Sequence, residues 1–403
     1  MIFAEQFSSS FMHSFIETLA PETRLLVCCA RMRVNPETAS DIRALVLGNL
    51  DWDALLGGAA RHAVAPLLDR QLLTVAADLI PANQISRMNE ANRVNTLRCL
   101  QLTAALVEIL RLFQAEGIAA LPYKGPILAA QAYGDLSMRQ FDDIDIVVPQ
   151  REMAKAQEIV LGLGYTAKFP GVFSPGNSYP IPGEYKYYSE TRDAIVELHT
   201  EFTLRHFPVT CNFDDFYARS VELNLGGHHV RTFSPEDALL AICVHGSKDF
   251  WERLSWIADV AELLESHSEL DWSKIGQRAE SLRVERMLRV GRALAARVLG
   301  TQLPDEMNGS VRKDRVAEAI AEKLAGKLLG GTEPPMGALE RFHLRRRMVS
   351  GFFPGWRYAL RLAFAPAEED WTTVQLPRPL APLYVLLRPF RLMRKYGGSR
   401  EAV

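Results

Sequence analysis

LPYKGPILAAQAYGDLSMRQFDDIDIVVP, residues 121–149, falls into three pieces: an apolar approach ending in Lys124-Gly125, a helix-like span, and a strand carrying Asp143-Ile144-Asp145. Side chains alternate faces along an extended strand, so Asp143 and Asp145 point the same way, about 6.5–7 Å apart. Ile144, Ile146 and Val148 then line the opposite, buried face. Neighbouring carboxylates raise each other's pKa unless a cation lies between them. Acceptor-only oxygen ligands suit Mg²⁺, which takes one or two carboxylates together with substrate phosphates. The stretch predicts a site for metal and a phosphorylated ligand. Gly125 lets a backbone amide approach a phosphate, and the helix that starts there adds a positive dipole end.

The pair Lys124-Gly125 followed by YGDLSMRQFDDIDIVV is similar to the core of the uncharacterised nucleotidyltransferase family, within the DNA-polymerase-β-like nucleotidyltransferase superfamily. The resemblance implies a Gly-bearing turn, a helix, an Asp-x-Asp strand and a third acidic residue on a neighbouring strand. It also implies nucleotidyl transfer from a nucleoside triphosphate, ATP by default, assisted by two Mg²⁺ ions. AIVELHTEF, residues 194–202, supplies the third position. Alternation puts Glu197, His199 and Glu201 on one face, and Val196, Leu198 and Phe202 on the other. The family's third carboxylate maps onto Glu197, where aspartate is commoner. Asp143, Asp145 and Glu197 are therefore the expected metal ligands and catalytic residues, with His199 orienting Glu197. Lys124, Gly125, Arg139 and Lys248 are the expected phosphate contacts. Pro126 departs from the superfamily's Gly-Ser or Gly-Gly and removes one amide. Arg139 has a second reading as a structural partner of a carboxylate. Asp142, offset to the other face, reads as a cap or turn residue.

At 403 residues the chain is long enough for two or three domains. Its 48% hydrophobic and 23% charged composition is ordinary for a globular protein, and a net charge of -2 argues against a general nucleic-acid binder. Charge is uneven: from Arg341 onward there are 12 Arg and Lys against 4 Asp and Glu. The five cysteines are scattered without metal-type spacing and read as reduced thiols of a cytoplasmic, bacterial-type protein. The first residues lack a secretory signal's basic region and long apolar core. No apolar run is long enough to span a membrane.

Upstream of residue 118 the pattern is helical throughout. Pro21-Glu22 and Asp51-Trp52 open helices, and a long amphipathic stretch runs from about Ala82 to Glu116, with Leu97, Leu100, Ala104, Val107, Leu110 and Phe113 as its apolar stripe. Ile118–Leu121 is the first strand candidate. Residues 165–189, rich in Gly, Pro, Tyr and Ser, read as a loop or hairpin over the site. Gly226-Gly227 marks a hairpin tip. ALLAICVHGSKDFWERLSWIADVAELL reads as one helix, with Trp251, Leu254 and Ile257 in the core and His245 and Lys248 reaching toward phosphates. Asp259 there reads as the buried partner of a cation. The basic tail has three readings: packing on the acidic body, peripheral contact with an anionic membrane, or contact with a nucleic acid or phosphorylated substrate.

Together these patterns predict an α+β protein with an α/β catalytic core. The expected layout is an N-terminal helical domain (1–117), a nucleotidyltransferase core (118–232), a helical domain (233–330) and a basic C-terminal segment (331–403). The acceptor is open among sugar, peptide, protein and RNA hydroxyls. Two alternatives stand beside nucleotidyl transfer: a nucleotide-binding or scaffold protein without turnover, and phosphate-ester hydrolysis or kinase-like transfer.

Overall fold

The structure, a computed structural model, describes residues 16–168, 184–200, 212–303, 314–330, 336–349 and parts of 356–397. Residues 169–183, at the centre of the expected loop, lie outside the described residues, as do Glu201 and Phe202.

Among the described residues, four short helices precede the long one: α1 (Pro21–Cys29), α2 (Pro36–Leu47), α3 (Trp52–Arg61) and α4 (Ala65–Val75). Asn35 and Asp51 cap α2 and α3 by accepting amide hydrogens of the first turn, which satisfies donors that a helix start leaves open. The 34-residue α5 (Ala82–Ala115) then carries the chain to the sheet. Its buried side is formed by Cys99, Leu102, Leu106, Ile109 and Phe113, whereas Leu97 and Leu100 are each 54% exposed. Ala104 is exposed as well and Leu110 half-buried, so of the expected stripe only Val107 and Phe113 are core residues. Cys99 and Leu102 face the sheet, which turns Leu97 and Leu100 outward.

Among the described residues five strands form one mixed sheet: β1 (Leu121–Tyr123), β2 (Asp143–Val147), β3 (Thr166–Ala167), β4 (Glu184–Ser189) and β5 (Ala194–His199), in the order β1-β2-β5-β4-β3. The β2–β5 pair is parallel and the other pairs are antiparallel. Between β1 and β2 lie α6 (Gly125–Leu128) and a π turn at Ala129–Tyr133, and α7 (Met153–Gly162) follows β2. One sheet face, with Ile144, Ile146, Val148, Val196, Leu198, Tyr185 and Tyr187, packs into an apolar cluster with α5 and α7. The alternate positions, Asp143, Asp145, Glu197, His199, Glu184 and Lys186, share the other face.

Helix α8 (Phe213–Ala218) and the hairpin β6 (Val221–Leu225) and β7 (His228–Thr232) close the α/β part, with Gly226-Gly227 at the tip. Then come α9 (Pro235–Lys248), α10 (Leu254–Ser266), α11 (Trp272–Ser281), α12 (Glu285–Leu299), α13 (Arg315–Gly330), α14 (Ala338–Met348) and α15 (Tyr384–Gly397). The single helix expected around Trp251 is two. Phe250 and Trp251 both have positive φ, and Trp251 turns back to fill the space beside Gly246 and Gly291. Trp251, Leu254 and Ile257 are all core residues. One continuous apolar cluster joins α1–α4, β1 and the helices after residue 235, so the helices on both sides of the sheet segment in sequence share a core.

Candidate active site

Strand register assembles the site. Tyr123, Asp145, Glu197 and Lys186 lie opposite one another across β1, β2, β5 and β4, and His199 pairs with Glu184 one step further along. The buried Asp145 is its centre. Its Oδ1 accepts from the Lys124 ammonium at 2.7 Å and lies 2.8 Å from His199 Nε2. Its Oδ2 is buried and, among the described residues, has no hydrogen-bond partner. Burial alone would raise the Asp145 pKa, but Lys124 and His199 hold it well below the usual carboxylate range. Lys124 in turn keeps its charge against burial because Asp145 faces it.

Glu197 accepts from Lys186, and its other oxygen lies 3.6 Å from His199 Nε2. The Glu197 and Asp143 carboxyls are both pushed up, first by burial and then by the charge of Asp145. Both carboxyls are thus harder to ionise than free ones, and a cation placed beside them would favour their charged forms. Lys186 also reaches Glu184 at 2.7 Å, and Glu184 accepts from Lys248 at 2.9 Å. An ion-pair chain therefore runs from Glu197 on β5 through β4 to the end of α9.

Ligand atoms of Asp145, Glu197 and His199 all lie within 4.8 Å of one another. With the orphaned Asp145 Oδ2 among them, these residues fit a divalent cation, and two carboxylates on adjacent strands offer the hard oxygen donors that Mg²⁺ requires. Asp143, half-buried, shares their face at the start of β2.

The candidates from sequence reasoning fall into two groups. Asp145, Glu197 and Lys124 meet, with His199 among them, while Asp143 shares their sheet face without joining the group of ligand atoms within 4.8 Å. Gly125 sits directly against β2: a Cβ there would lie 3.1 Å from the Asp143 carbonyl oxygen, and φ is +41°. Lys248 reaches the cluster only through Glu184. Arg139 points elsewhere, forking onto Asp259 of α10 at 2.8 and 3.0 Å, while Tyr133 donates to the same carboxylate at 2.9 Å. Its charge is held firmly despite burial because Asp259 faces it. Asp259 is thus the buried partner its sequence context suggested. His199 bonds Asp145, where Glu197 was the expected partner. His245 lies on α9 close enough to Lys124 that burial first and that ammonium second press its pKa well below the ordinary value. Sequence reasoning missed Lys186 and Glu184. The alternation of EYKYYS, residues 184–189, carried the signal, since it sets both on the face opposite Tyr185 and Tyr187.

A mixed sheet with clustered acidic groups on one face, enclosed by helices, makes this an α+β protein. The family described as "Uncharacterised nucleotidyltransferase" matches residues 48–300, and the chain belongs to that family. No curated protein matches. Solved structures that are similar in part include the following two. The solution structure of the antibiotic-resistance factor ANT(2'')-Ia is 15% identical over 45% of this chain and 91% of that one, with a TM-score of 0.31. The crystal structure of an antigenic nucleotidyltransferase-like protein from Paracoccidioides brasiliensis is 15% identical over 50% and 94%, with a TM-score of 0.29.

Proposed function

We propose that this protein transfers a nucleoside monophosphate from a nucleoside triphosphate, ATP by default, to a hydroxyl of an acceptor. The observation that carries the reading is the buried Asp145 Oδ2, left without a partner beside Glu197 in a chain of this family. Asp143, Asp145 and Glu197 would hold the metal. Divalent cations bound there would lower the pKa of the attacking hydroxyl and neutralise charge on departing pyrophosphate. His199 fixes Asp145 through its Oδ1, which leaves Oδ2 free to bind. Lys124 and the Gly125 turn at the start of α6 face the same strand and are the direct phosphate candidates. Lys248 sits one ion pair away, and Arg139 serves the site by fixing the approach to β2 against α10. Transfers of this kind need positioning and charge neutralisation more than covalent participation by the protein.

The decisive experiment is calorimetric titration of each nucleoside triphosphate, with and without Mg²⁺, into the wild type and Asp145→Asn, paired with a pyrophosphate-release assay. Mg²⁺-dependent binding that the variant loses is the expected result; binding equal in both proteins sinks the assignment. One observation favours a second reading. Lys124 and Lys186 already neutralise Asp145 and Glu197, as in a protein that binds nucleotide without turning it over. Metal-dependent binding without pyrophosphate release supports that reading, whereas release of inorganic phosphate or nucleoside diphosphate points to hydrolysis or kinase-like transfer.

A further inference from the structure

The C-terminal helix α15 carries a feature that the nucleotidyl-transfer reading does not use. Leu383, just before its first turn, and Leu386, Leu387, Phe390 and Met393 are each between 38% and 68% exposed. Their spacing of three, one, three and three residues puts them on one helical face. The opposite face is anchored. Arg388 donates to Asp370 at 2.9 Å and to the Leu362 carbonyl at 2.8 Å, and Arg391 reaches the same carboxylate. Tyr384 donates its hydroxyl hydrogen to the Val374 carbonyl at 2.6 Å. These bonds fix the helix with its Leu, Phe and Met side chains outward, and the segment it is tied to exposes Leu360 and Phe364 as well. Single exposed apolar residues need no explanation, but a contiguous stripe of this size marks a contact surface.

Charge selects the occupant. From Arg341 onward there are 12 Arg and Lys against 4 Asp and Glu, so the stripe sits in a strongly cationic segment. A second copy would bring like charge against like. A nucleic acid would match the charge, but a stripe made mainly of Leu and Met offers few of the stacking faces that bases require. An anionic bilayer satisfies both properties: its headgroups attract Arg and Lys, and its acyl boundary accepts Leu, Phe and Met. Among the described residues no helix is long and apolar enough to cross a membrane, so the geometry is one of lying in the interface plane. We propose that α15 is an amphipathic membrane-surface helix that binds anionic phospholipid through Leu383, Leu386, Leu387, Phe390 and Met393.

The test is co-sedimentation of the full chain with vesicles of phosphatidylcholine alone or of phosphatidylcholine mixed with phosphatidylglycerol. The comparison protein is the double variant Leu386→Glu, Phe390→Glu, whose retained fold is checked by its thermal transition. Wild type is expected to pellet with the anionic vesicles and stay in solution with the neutral ones. The variant's partitioning should fall by roughly tenfold or more, and added salt should weaken wild-type binding. Three results overturn the proposal: wild type left in the supernatant with anionic vesicles, a variant that sediments as well as wild type, or a folded wild type whose stripe is covered by a second copy, seen as a light-scattering dimer that the variant abolishes while neither protein binds lipid.

Discussion

Lys124 is held in a backbone conformation that side chains other than glycine seldom adopt, φ +54° and ψ -154°. Such a residue costs on the order of 1–3 kcal/mol and persists only where its surroundings hold it. Here the 2.7 Å bond to buried Asp145 does so. Lys124→Met leaves that buried carboxylate with His199 as its remaining partner, and a loss of about 3–5 kcal/mol in stability is expected. Added Mg²⁺ should recover more of the melting temperature in this variant than in wild type, because the metal would replace the missing positive charge. An Mg²⁺ response no larger than that of wild type would count against a metal site at Asp145. A second residue-scale prediction concerns pH. Asp69 on α4 is 1% exposed, and its only offset against burial is the neighbouring Asn92 side chain, with no cation paired to it among the described residues. Burial pushes its pKa up to about 7, and Glu262 of α10, which accepts from the Met32 amide, is likewise pushed up to about 7 by burial. Both folded values lie above the unfolded ones near 4, so the folded state binds more protons in that interval. Their stabilising effect is full below about pH 4 and is lost as pH rises toward and through 7. Asp69→Asn should therefore raise the melting temperature at pH 8 and flatten its decline between pH 5 and 8, measured by calorimetric scans.

At the scale of elements, the break between α9 and α10 depends on a tight fit. A Cβ on Gly246 would meet three ring atoms of Trp251 at 2.7 Å, and one on Gly291 would meet Cys243 Sγ at 2.7 Å. Trp251 is fully buried, so the ring has little room to yield. Gly246→Ala is expected to cost about 1–3 kcal/mol through overpacking, read from urea denaturation. Adding Trp251→Leu should bring a loss smaller than the sum of the two single changes, since the smaller side chain makes room for the new methyl. The local helical pattern runs through this point without interruption. Only the cross-helix contacts with α12 stop it, which is why the sequence reads as one helix.

For the molecule as a whole, the Arg139–Asp259 fork joins the approach to β2 with α10, across 120 positions of sequence. Both groups are buried, and Tyr133 completes the carboxylate's bonding. Removing either partner strands the other, so Arg139→Ala and Asp259→Ala should each cost about 3–5 kcal/mol. The double variant should be much better than additive, and the coupling should barely change with salt, because buried pairs are screened weakly. Additive losses in a double-mutant cycle would show that the two residues act independently. If the pair positions β2, nucleotide affinity should fall in both single variants together.

The carboxylate pairs were legible in the sequence because a strand's alternation is a local property: Asp143 with Asp145, and Glu197 with His199, share a face of their own strand whatever packs around them, while the register of β2 on β5 brings the two pairs together. Helix starts at Pro21 and Asp51, the hairpin tip at Gly226-Gly227 and the burial of Ile144, Ile146 and Val148 follow from equally local rules. Tertiary structure alone decided which cation serves which carboxylate. Lys186 faces Glu197 through the register of β4 on β5, His199 turns to Asp145 across a parallel pair, and Arg139 leaves the site for a helix far along the chain. The outward turn of Leu97 and Leu100 on α5 has the same origin. A residue's face is set by its own backbone, whereas its partner is set by the relative placement of whole elements, and that placement depends on how both apolar clusters pack.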